Sequence, residues 1–295
     1  MNSLNRRHYL LLSSILLASC AVGGNRTEET ITRRWPAAGI TRVEIREVDG
    51  SVSVEAGAVN EITLVANVEA RGFQPKPNEE NHGYFKTTVA GDTLQIGREH
   101  DRVIVRIPFF SRDDVTVNYT LRVPPTVALD LNTVNGRIAT RGIDAPTDAV
   151  TVNGPINLES TGTQFVSAKT VNGRIVTRFL TTFQGARLKT VNGSVEAVLP
   201  STASFTCDLS QVNGDFEASF PLSIHSHPGS RRVSGDVNGG RYSLKIVTVN
   251  GDIQLANQPA PAAPAAAPAA PATVAPQAPA APPSAPASAA QPSST

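Results

Sequence analysis

Three aspartates have the type and spacing to do chemistry, because each follows a recurring Asn-Gly pair or its variant. Asp215 and Asp252 stand two places after the asparagine of a repeat, and Asp236 stands two places after Ser234, the asparagine equivalent of a degenerate copy. If successive repeats stack about 4.8 Å apart, the three carboxylates form an acidic stripe that Ca²⁺ or a cationic ligand would stabilise. This stripe is the candidate metal site, and the candidate catalytic site of a polysaccharide-acting enzyme.

The chemistry of glycoside cleavage argues against that enzyme. It needs two carboxyl groups in different environments, whereas stacked, solvent-facing aspartates share one environment. Aspartate after Asn-Gly is also a common turn residue, where it is solvated and screened. Cys207 lies in an apolar column of the repeats, which favours a small buried core residue over a nucleophile. We therefore expect no catalytic residue, no bound metal and no cofactor.

The first 20 residues indicate export and lipid attachment. A basic start precedes the apolar run Tyr9–Leu17, which is too short to span a bilayer. The run ends in Leu-Ala-Ser-Cys at Leu17–Cys20, which resembles the bacterial lipobox, whose cysteine becomes the acylated first residue of the mature protein. An ordinary signal peptide with an incidental Cys20 is the alternative, and the export route, general or twin-arginine, stays open. In the enterobacterial pattern an aspartate after the cysteine retains the lipoprotein at the inner membrane, so Ala21 favours the outer membrane.

A four-residue motif organises the middle of the chain. Thr-Val-Asn-Gly occurs five times, Gln-Val-Asn-Gly occurs once, and a Val-Asp-Gly copy centred on Asp49 stands far upstream. The Asn-Gly pairs of the six copies are Asn135 and Gly136, Asn153 and Gly154, Asn172 and Gly173, Asn192 and Gly193, Asn213 and Gly214, and Asn250 and Gly251. Such a repeat, at intervals of about 18 to 21 residues, is typical of one supersecondary unit per copy.

Apolar residues flank the copies at constant offsets and predict which side chains face inward. An aliphatic residue stands four places before the asparagine, as in Leu131, and another stands three places after it, as in Ile138. Polar residues alternate with these positions. A period of two on both sides of the Asn-Gly pair predicts strand, turn and strand in every repeat.

Two architectures fit this pattern, a hairpin meander with type I′ turns and a parallel β-solenoid of about 18 to 21 residues per coil. We favour the solenoid, because only stacking explains why Thr and Val precede nearly every Asn. Stacked asparagines can pass amide hydrogen bonds along a ladder. In that arrangement we expect glycine to supply a positive φ at the corner, and asparagine to tolerate an unusual conformation of its own.

Charge and composition limit the partners and define the C-terminal end. Lys and Arg number 26 against 25 Asp and Glu, and aromatic residues make up 5%, so nucleic acid is not an expected partner. Residues 258–295 hold 11 of the 22 prolines among Ala, Ser and Gln, without a charged side chain. This composition predicts a disordered Pro/Ala-rich tail.

The segment Val117–Pro124, followed by Val127–Leu131 and the first Thr-Val-Asn-Gly, resembles the bacterial putative-adhesin domain of unknown function, a β-strand-repeat family. The upstream segment Val43–Gly50 is similar to the opening strands of that family, and together the resemblance covers most of residues 36–255. It implies a β-helical exported domain described as an adhesin, and it implies no catalytic residues. The polar stretch Gly72–Tyr84 departs from the pattern and is interpreted as a loop.

The sequence therefore predicts an all-β protein in four parts. These are a lipoprotein signal peptide (1–19), a lipidated N-terminus and linker (20–35), a β-solenoid (36–257) and the disordered tail (258–295). The predicted function is non-catalytic: a lipid-anchored cell-envelope protein, at the outer membrane, whose repetitive surface contacts protein or glycan. The alternative is the polysaccharide-acting β-helix enzyme that uses Asp215, Asp236 and Asp252.

Overall fold

The computed structural model describes residues 26–71, 76, 79–98, 114–227 and 230–258. The predicted signal peptide, Cys20 and nearly all of the Pro/Ala-rich tail lie outside the described residues. Within them most residues belong to β-strands, and the only helical segment is a short 3-10 turn at Glu80–Gly83, inside the predicted loop.

The strands form two sheets. Sheet A has ten described strands, in the spatial order β1 (Arg26–Pro36), β4 (Glu61–Arg71), β7 (Asp114–Val123), β3 (Val52–Ala56), β9 (Ile138–Ile143), β11 (Ile156–Ser160), β13 (Ile175–Phe179), β15 (Val195–Pro200), β21 (Ile253–Gln258) and β17 (Phe216–Ala218). Sheet B has eleven, in the spatial order β18 (Ser223–His227), β19 (Ser230–Val237), β16 (Phe205–Asn213), β20 (Tyr242–Asn250), β14 (Ala186–Lys189), β12 (Val166–Lys169), β10 (Thr147–Val150), β8 (Ala128–Asn132), β2 (Arg42–Arg46), β6 (Thr93–Gly97) and β5 (Lys86–Ala90).

Each coil contributes one strand to sheet B, a corner at the repeated motif, and one strand to sheet A. Neighbouring coils pair in parallel in both sheets, from β2 and β3 through β8 and β9 to β14 and β15. The predicted parallel β-solenoid is confirmed. The meander is excluded, because its neighbouring strands would run antiparallel.

The last two coils stack in the reverse of their sequence order. The coil of β16 and β17 comes first in the sequence, followed by the coil of β20 and β21. In the stack, however, β20 and β21 pair with β14 and β15, and the coil of β16 and β17 pairs on their other side. The predicted copy at Ser234 is wrong, because β19 runs antiparallel between β16 and β18 and contains no coil corner. Ser234 has no side-chain amide that could continue the ladder of stacked asparagines, whereas Asn250 donates to Asn192.

Antiparallel strands close the end of the stack that holds the first coil. In sheet A, β7 pairs in parallel with β3, and β4 and then β1 add antiparallel to it. In sheet B, the hairpin of β5 and β6 covers the edge of β2. Strand β1 begins at Arg26, so most of the residues assigned to a linker belong to this cap. Caps of this kind protect a solenoid from edge-to-edge association.

The interior is built from stacked apolar columns. One column in sheet B is Leu131, Ala149, Ala168, Leu188, Ile246 and Leu209, and one in sheet A is Ile138, Ile156, Ile175, Val195, Ile253 and Phe216. All of these side chains are buried except Phe216, which is partly buried. Edge-to-face contacts join Phe179, Phe183, Phe205 and Phe220 at ring distances of 4.9 to 5.7 Å. The alternation read from the sequence therefore selects the core side chains.

Glycine is required at the corners because neighbouring coils approach too closely for a side chain. A Cβ on Gly154, Gly173 or Gly193 would lie 1.9 to 2.0 Å from the carbonyl oxygen of the preceding glycine in the stack. The expected positive φ is wrong for these three glycines and for the ladder asparagines, but it is confirmed at Gly214 and Gly251, whose φ angles are +129° and +151°. At Gly154, Gly173 and Gly193 the space between coils, and not the backbone conformation, selects glycine.

Substituting Gly173 tests this close approach. We expect Gly173→Ala to lower the free energy of unfolding by about 3 kcal/mol or more, since backbone must move to admit the methyl group. Gly91→Ala is the control: Gly91 has φ +65°, but no atom lies within 4 Å of the place that its Cβ would take, so only conformational strain of about 1 to 2 kcal/mol applies. Urea unfolding measures both, and equal losses would contradict the packing argument.

Candidate binding surfaces

The asparagines of the repeated motif form one continuous hydrogen-bonded row along a corner of the solenoid. Each side-chain amide donates from Nδ2 to the Oδ1 of the next residue in the stack, at 2.8 to 2.9 Å. The row runs in the order Asp49, Asn135, Asn153, Asn172, Asn192, Asn250 and Asn213. All the donors point towards Asp49, whose carboxylate can only accept and so ends the row.

Threonine hydroxyls form a second, buried row beside the asparagines. The threonine two places before each ladder asparagine donates to the carbonyl oxygen of a corner glycine in the adjacent coil, at 3.1 to 3.2 Å. In the last coil of the stack, Gln211 takes this role and donates to Gly251 at 2.7 Å. The motif thus satisfies the polar groups that the tight corner buries. Because its amides already bond to one another, the row is a structural element.

The three-aspartate stripe does not form. Asp215 and Asp252 are neighbours, and the backbone N–H of Asp215 donates to Oδ1 of Asp252 at 2.9 Å. Asp236 instead lies on β19, where it accepts a hydrogen bond from the Thr206 hydroxyl at 2.8 Å. The predicted stripe depended on a repeat copy at Ser234, and the structure has no coil corner there. Within the described ranges, no group of three or more His, Cys, Asp or Glu residues is placed to hold a metal ion.

The outer face of sheet A carries a shallow trough of about 460 Å³ that runs across the strands. We name it the sheet A trough. Short side chains, Ser53, Ala139, Asn157 and Val176, line its floor, since these residues stack on adjacent strands. Longer charged side chains surround this floor: Glu55, Arg141, Glu159 and Arg178 lie along one side, Arg174 lies on the other, and Glu196, in register with Val176, lies at one end.

Opposite charges alternate along the walls of the trough. Arg141 lies 3.6 Å from Glu159, and Arg174 lies 2.5 Å from Glu196. Sequence analysis did not select Arg141, Glu159 or Arg178. They share an offset of six places after the ladder asparagine, so alignment of the repeats contains the signal. Each coil from β3 to β13 contributes one charged side chain to this wall.

The family follows from the sequence as a whole. A family model described as Toastrack DUF4097 matches residues 23–256. The chain belongs to the Toastrack DUF4097 family. This agrees with the resemblance to a domain of unknown function, and no curated protein matches the chain.

Solved structures similar to this Toastrack protein have low sequence identity to it. A putative cell adhesion protein from Clostridium sporogenes is 9% identical, with a TM-score of 0.34, over 78% of this chain and 100% of the other. A putative adhesin from Bacteroides fragilis is 10% identical (TM-score 0.29, 78% and 97% covered), and a putative lipid binding protein from Parabacteroides distasonis is 11% identical (TM-score 0.30, 78% and 95% covered). Similarities this low do not define what the Toastrack domain binds.

No helix in the described part of the Toastrack protein has the length and apolar character to cross a membrane. The groups with strongly perturbed acidity lie in its interior, away from the trough. Burial raises the pKa of the Cys207 thiol to about 12, so the thiol stays protonated at neutral pH. Cys207 is 1% exposed and lies in register with the buried Leu244, so it is a structural residue of the core.

Glu47 is a buried carboxyl group of the Toastrack domain and takes the threonine position of the first coil. Burial raises the pKa of Glu47, although Val48 N–H and the Tyr119 hydroxyl donate to its oxygens at 2.9 and 2.7 Å. Arg98 lies 3.4 Å away. Glu47 therefore joins the first coil to the cap strand β7 and does not line the trough.

The direction of the asparagine row gives a test of its role. Asn172→Asp removes the donor to Asn153 and places two acceptors together, so we expect a loss of about 1 to 2 kcal/mol in the free energy of unfolding at neutral pH. Asp49→Asn is the control, because it keeps the terminal acceptor and should change stability by less than about 0.5 kcal/mol. Urea unfolding at neutral and acid pH measures both. The loss of unfolding free energy in Asn172→Asp should be smaller at acid pH, because the introduced carboxyl group is then protonated and can donate again. A loss of the same size at both pH values would contradict the hydrogen-bond ladder.

Proposed function

We propose that this protein is a non-catalytic, lipid-anchored component of the bacterial cell envelope that binds an extended envelope glycan or protein along the sheet A trough. The observation that carries the proposal is the row of charged side chains, Glu55, Arg141, Glu159 and Arg178, that continues over four successive coils. With a repeat of about 4.8 Å, the trough offers an elongated polymer several hydrogen-bonding contacts in line.

Binding in the trough depends on many weak contacts. Its walls hold arginine and carboxylate side chains, and its floor holds Asn157 and small residues. Arginine and carboxylate groups donate to and accept from hydroxyl and amide groups. Exposed ion pairs contribute little to folding stability, so these side chains can exchange partners at low cost. Repetition then raises the overall affinity through multivalency.

The enzyme alternative loses its acid cluster, because Asp236 lies apart from Asp215 and Asp252. The carboxylates Glu159 and Glu196 in the trough each lie beside an arginine. No observation favours turnover over binding, and the proposed role is retention of a ligand at the cell surface or within the envelope.

The trough is tested by binding to isolated envelope glycans and envelope proteins. We expect Arg141→Ala/Arg178→Ala to weaken binding about tenfold, which corresponds to about 1.4 kcal/mol. Arg42→Ala/Arg46→Ala, which removes two exposed arginines from sheet B, is the matched control and should leave the affinity unchanged. Equal effects of the two double variants, or release of new sugar chain ends on incubation with the protein, would contradict the proposal.

Lipid attachment is tested by metabolic labelling with a fatty-acid analogue. We expect the label on the intact chain and its loss in Cys20→Ser, because acylation of the lipobox cysteine would supply the several acyl chains that stable anchoring needs. Cys207→Ser is the control and should keep the label, since Cys207 is buried. Fractionation of inner and outer membranes reports the location. Label that persists in Cys20→Ser would exclude the lipobox assignment.

A further inference from the structure

The outer face of sheet B, unlike that of sheet A, groups charges of the same sign. Glu44 on β2, Asp130 on β8 and Asp148 on β10 lie directly beside one another in register. Like charges placed opposite each other on a sheet are destabilising. Glu44 also contacts Arg46 and Gln95, and Asp130 accepts a hydrogen bond from Asn132. One carboxylate oxygen of Asp148 is buried without a hydrogen-bond partner among the described residues.

Basic residues occupy the next strands of the same face. Lys169 on β12 lies beside Lys189 on β14, and Arg187 on β14 lies beside Lys245 on β20. All four side chains are exposed. Lys245 contacts Asp208 at 3.1 Å, at the far end of the group. The face is therefore acidic across β8 and β10 and basic across β12, β14 and β20, while the exposed Arg42 and Arg46 offset Glu44 on β2.

An apolar pair lies between the two charged halves. Phe165, immediately before β12, is 45% exposed, and Pro146, immediately before β10, is exposed beside it. Phe165 is the only aromatic residue among the exposed large apolar side chains of the described residues. Phe165 lies at the beginning of the strands, next to the charged residues of the face, and an exposed aromatic residue beside charged groups is typical of a protein interface.

We propose that a second copy of this chain docks on the outer face of sheet B, related by a twofold axis that runs parallel to the strands between β10 and β12. This rotation reverses the strand order while the two faces meet. Glu44 then faces Lys245 of the other copy, Asp130 faces Arg187, and Asp148 faces the strand that carries Lys169. Every contact occurs twice, as an isologous interface requires.

Charge complementarity selects a second copy as the occupant. A polyanion would match the basic half but would be repelled by the acidic half, and a polycation would have the opposite difficulty. A copy with the reversed strand order compensates both halves and brings the two Phe165 side chains close to the axis. Six strands at about 4.8 Å and four residues at about 3.3 Å each give a face of roughly 400 Å² per copy. Such an area corresponds to a weak, reversible dimer.

Sedimentation equilibrium of the full chain in density-matched detergent, over a range of protein concentrations, tests the dimer. We expect Arg187→Glu/Lys189→Glu and Asp130→Lys/Asp148→Lys each to weaken dimerisation at least about tenfold, since each creates like-charged facing surfaces. An equimolar mixture of the two double variants should associate, because one face is then acidic and the other basic. Raising the salt from about 0.1 M to about 1 M, which shortens the Debye length from about 10 Å to about 3 Å, should weaken the wild-type dimer.

Two controls keep the result specific to this face. Arg141→Glu/Arg178→Glu changes the same number of charges on sheet A and should leave dimerisation within about twofold of wild type. Phe165→Ser removes the apolar centre without changing the charge and should weaken the dimer, which tests the face even if a charge variant does not fold. A wild-type chain that stays monomeric, or a dimer unaffected by these sheet B substitutions, would overturn the proposal. Charge-dependent binding of polyglutamate to a monomeric wild-type chain would assign the face to a polyanion instead.

Discussion

The close approach of successive coils at the Asn-Gly corner is the constraint on which the rest of the structure depends. Parallel strands about 4.8 Å apart leave no room for a side chain at this corner, so glycine is required there. The same approach buries carbonyl groups, which threonine hydroxyls satisfy, and brings the asparagine amides into a single row. Four residues per coil thus fix the register of both sheets.

Once the register is fixed, every outward position becomes part of a column. On sheet A one column alternates glutamate with arginine along a floor of short side chains. On sheet B they group acids on one side and bases on the other. One stacking rule therefore yields two surfaces of different character. The first suits an elongated ligand, and the second suits a surface with the opposite order of charges.

Much of the fold could be predicted from the residues themselves. The motif at Asn135, Asn153, Asn172 and Asn192 predicts parallel coils, and the flanking aliphatic positions predict the two core columns. The backbone conformation at the corner was not predictable in this way, because glycine can serve either a positive φ or a close contact. Only coordinates distinguish these two reasons. The charged wall at Arg141 and Arg178 was readable from the repeat, but its depth and its pairing with Glu159 depend on side-chain placement.

By itself, the sequence determined the β-solenoid, its inward columns and the positions of the corners that carry Asn-Gly, because strand periodicity and corner chemistry are local properties. The tertiary structure alone decided the order of the coils. Hydrogen bonding between β16 and β19 turns residues 230–237 back along the sheet, and the complete motif at Asn250 then inserts beside Asn192. That exchange separates Asp236 from Asp215 and Asp252. Two coils, that of β16 and β17 and that of β20 and β21, are each able to pair with the edge formed by β14 and β15. The spacing of their motifs along the chain does not specify which of the two does so.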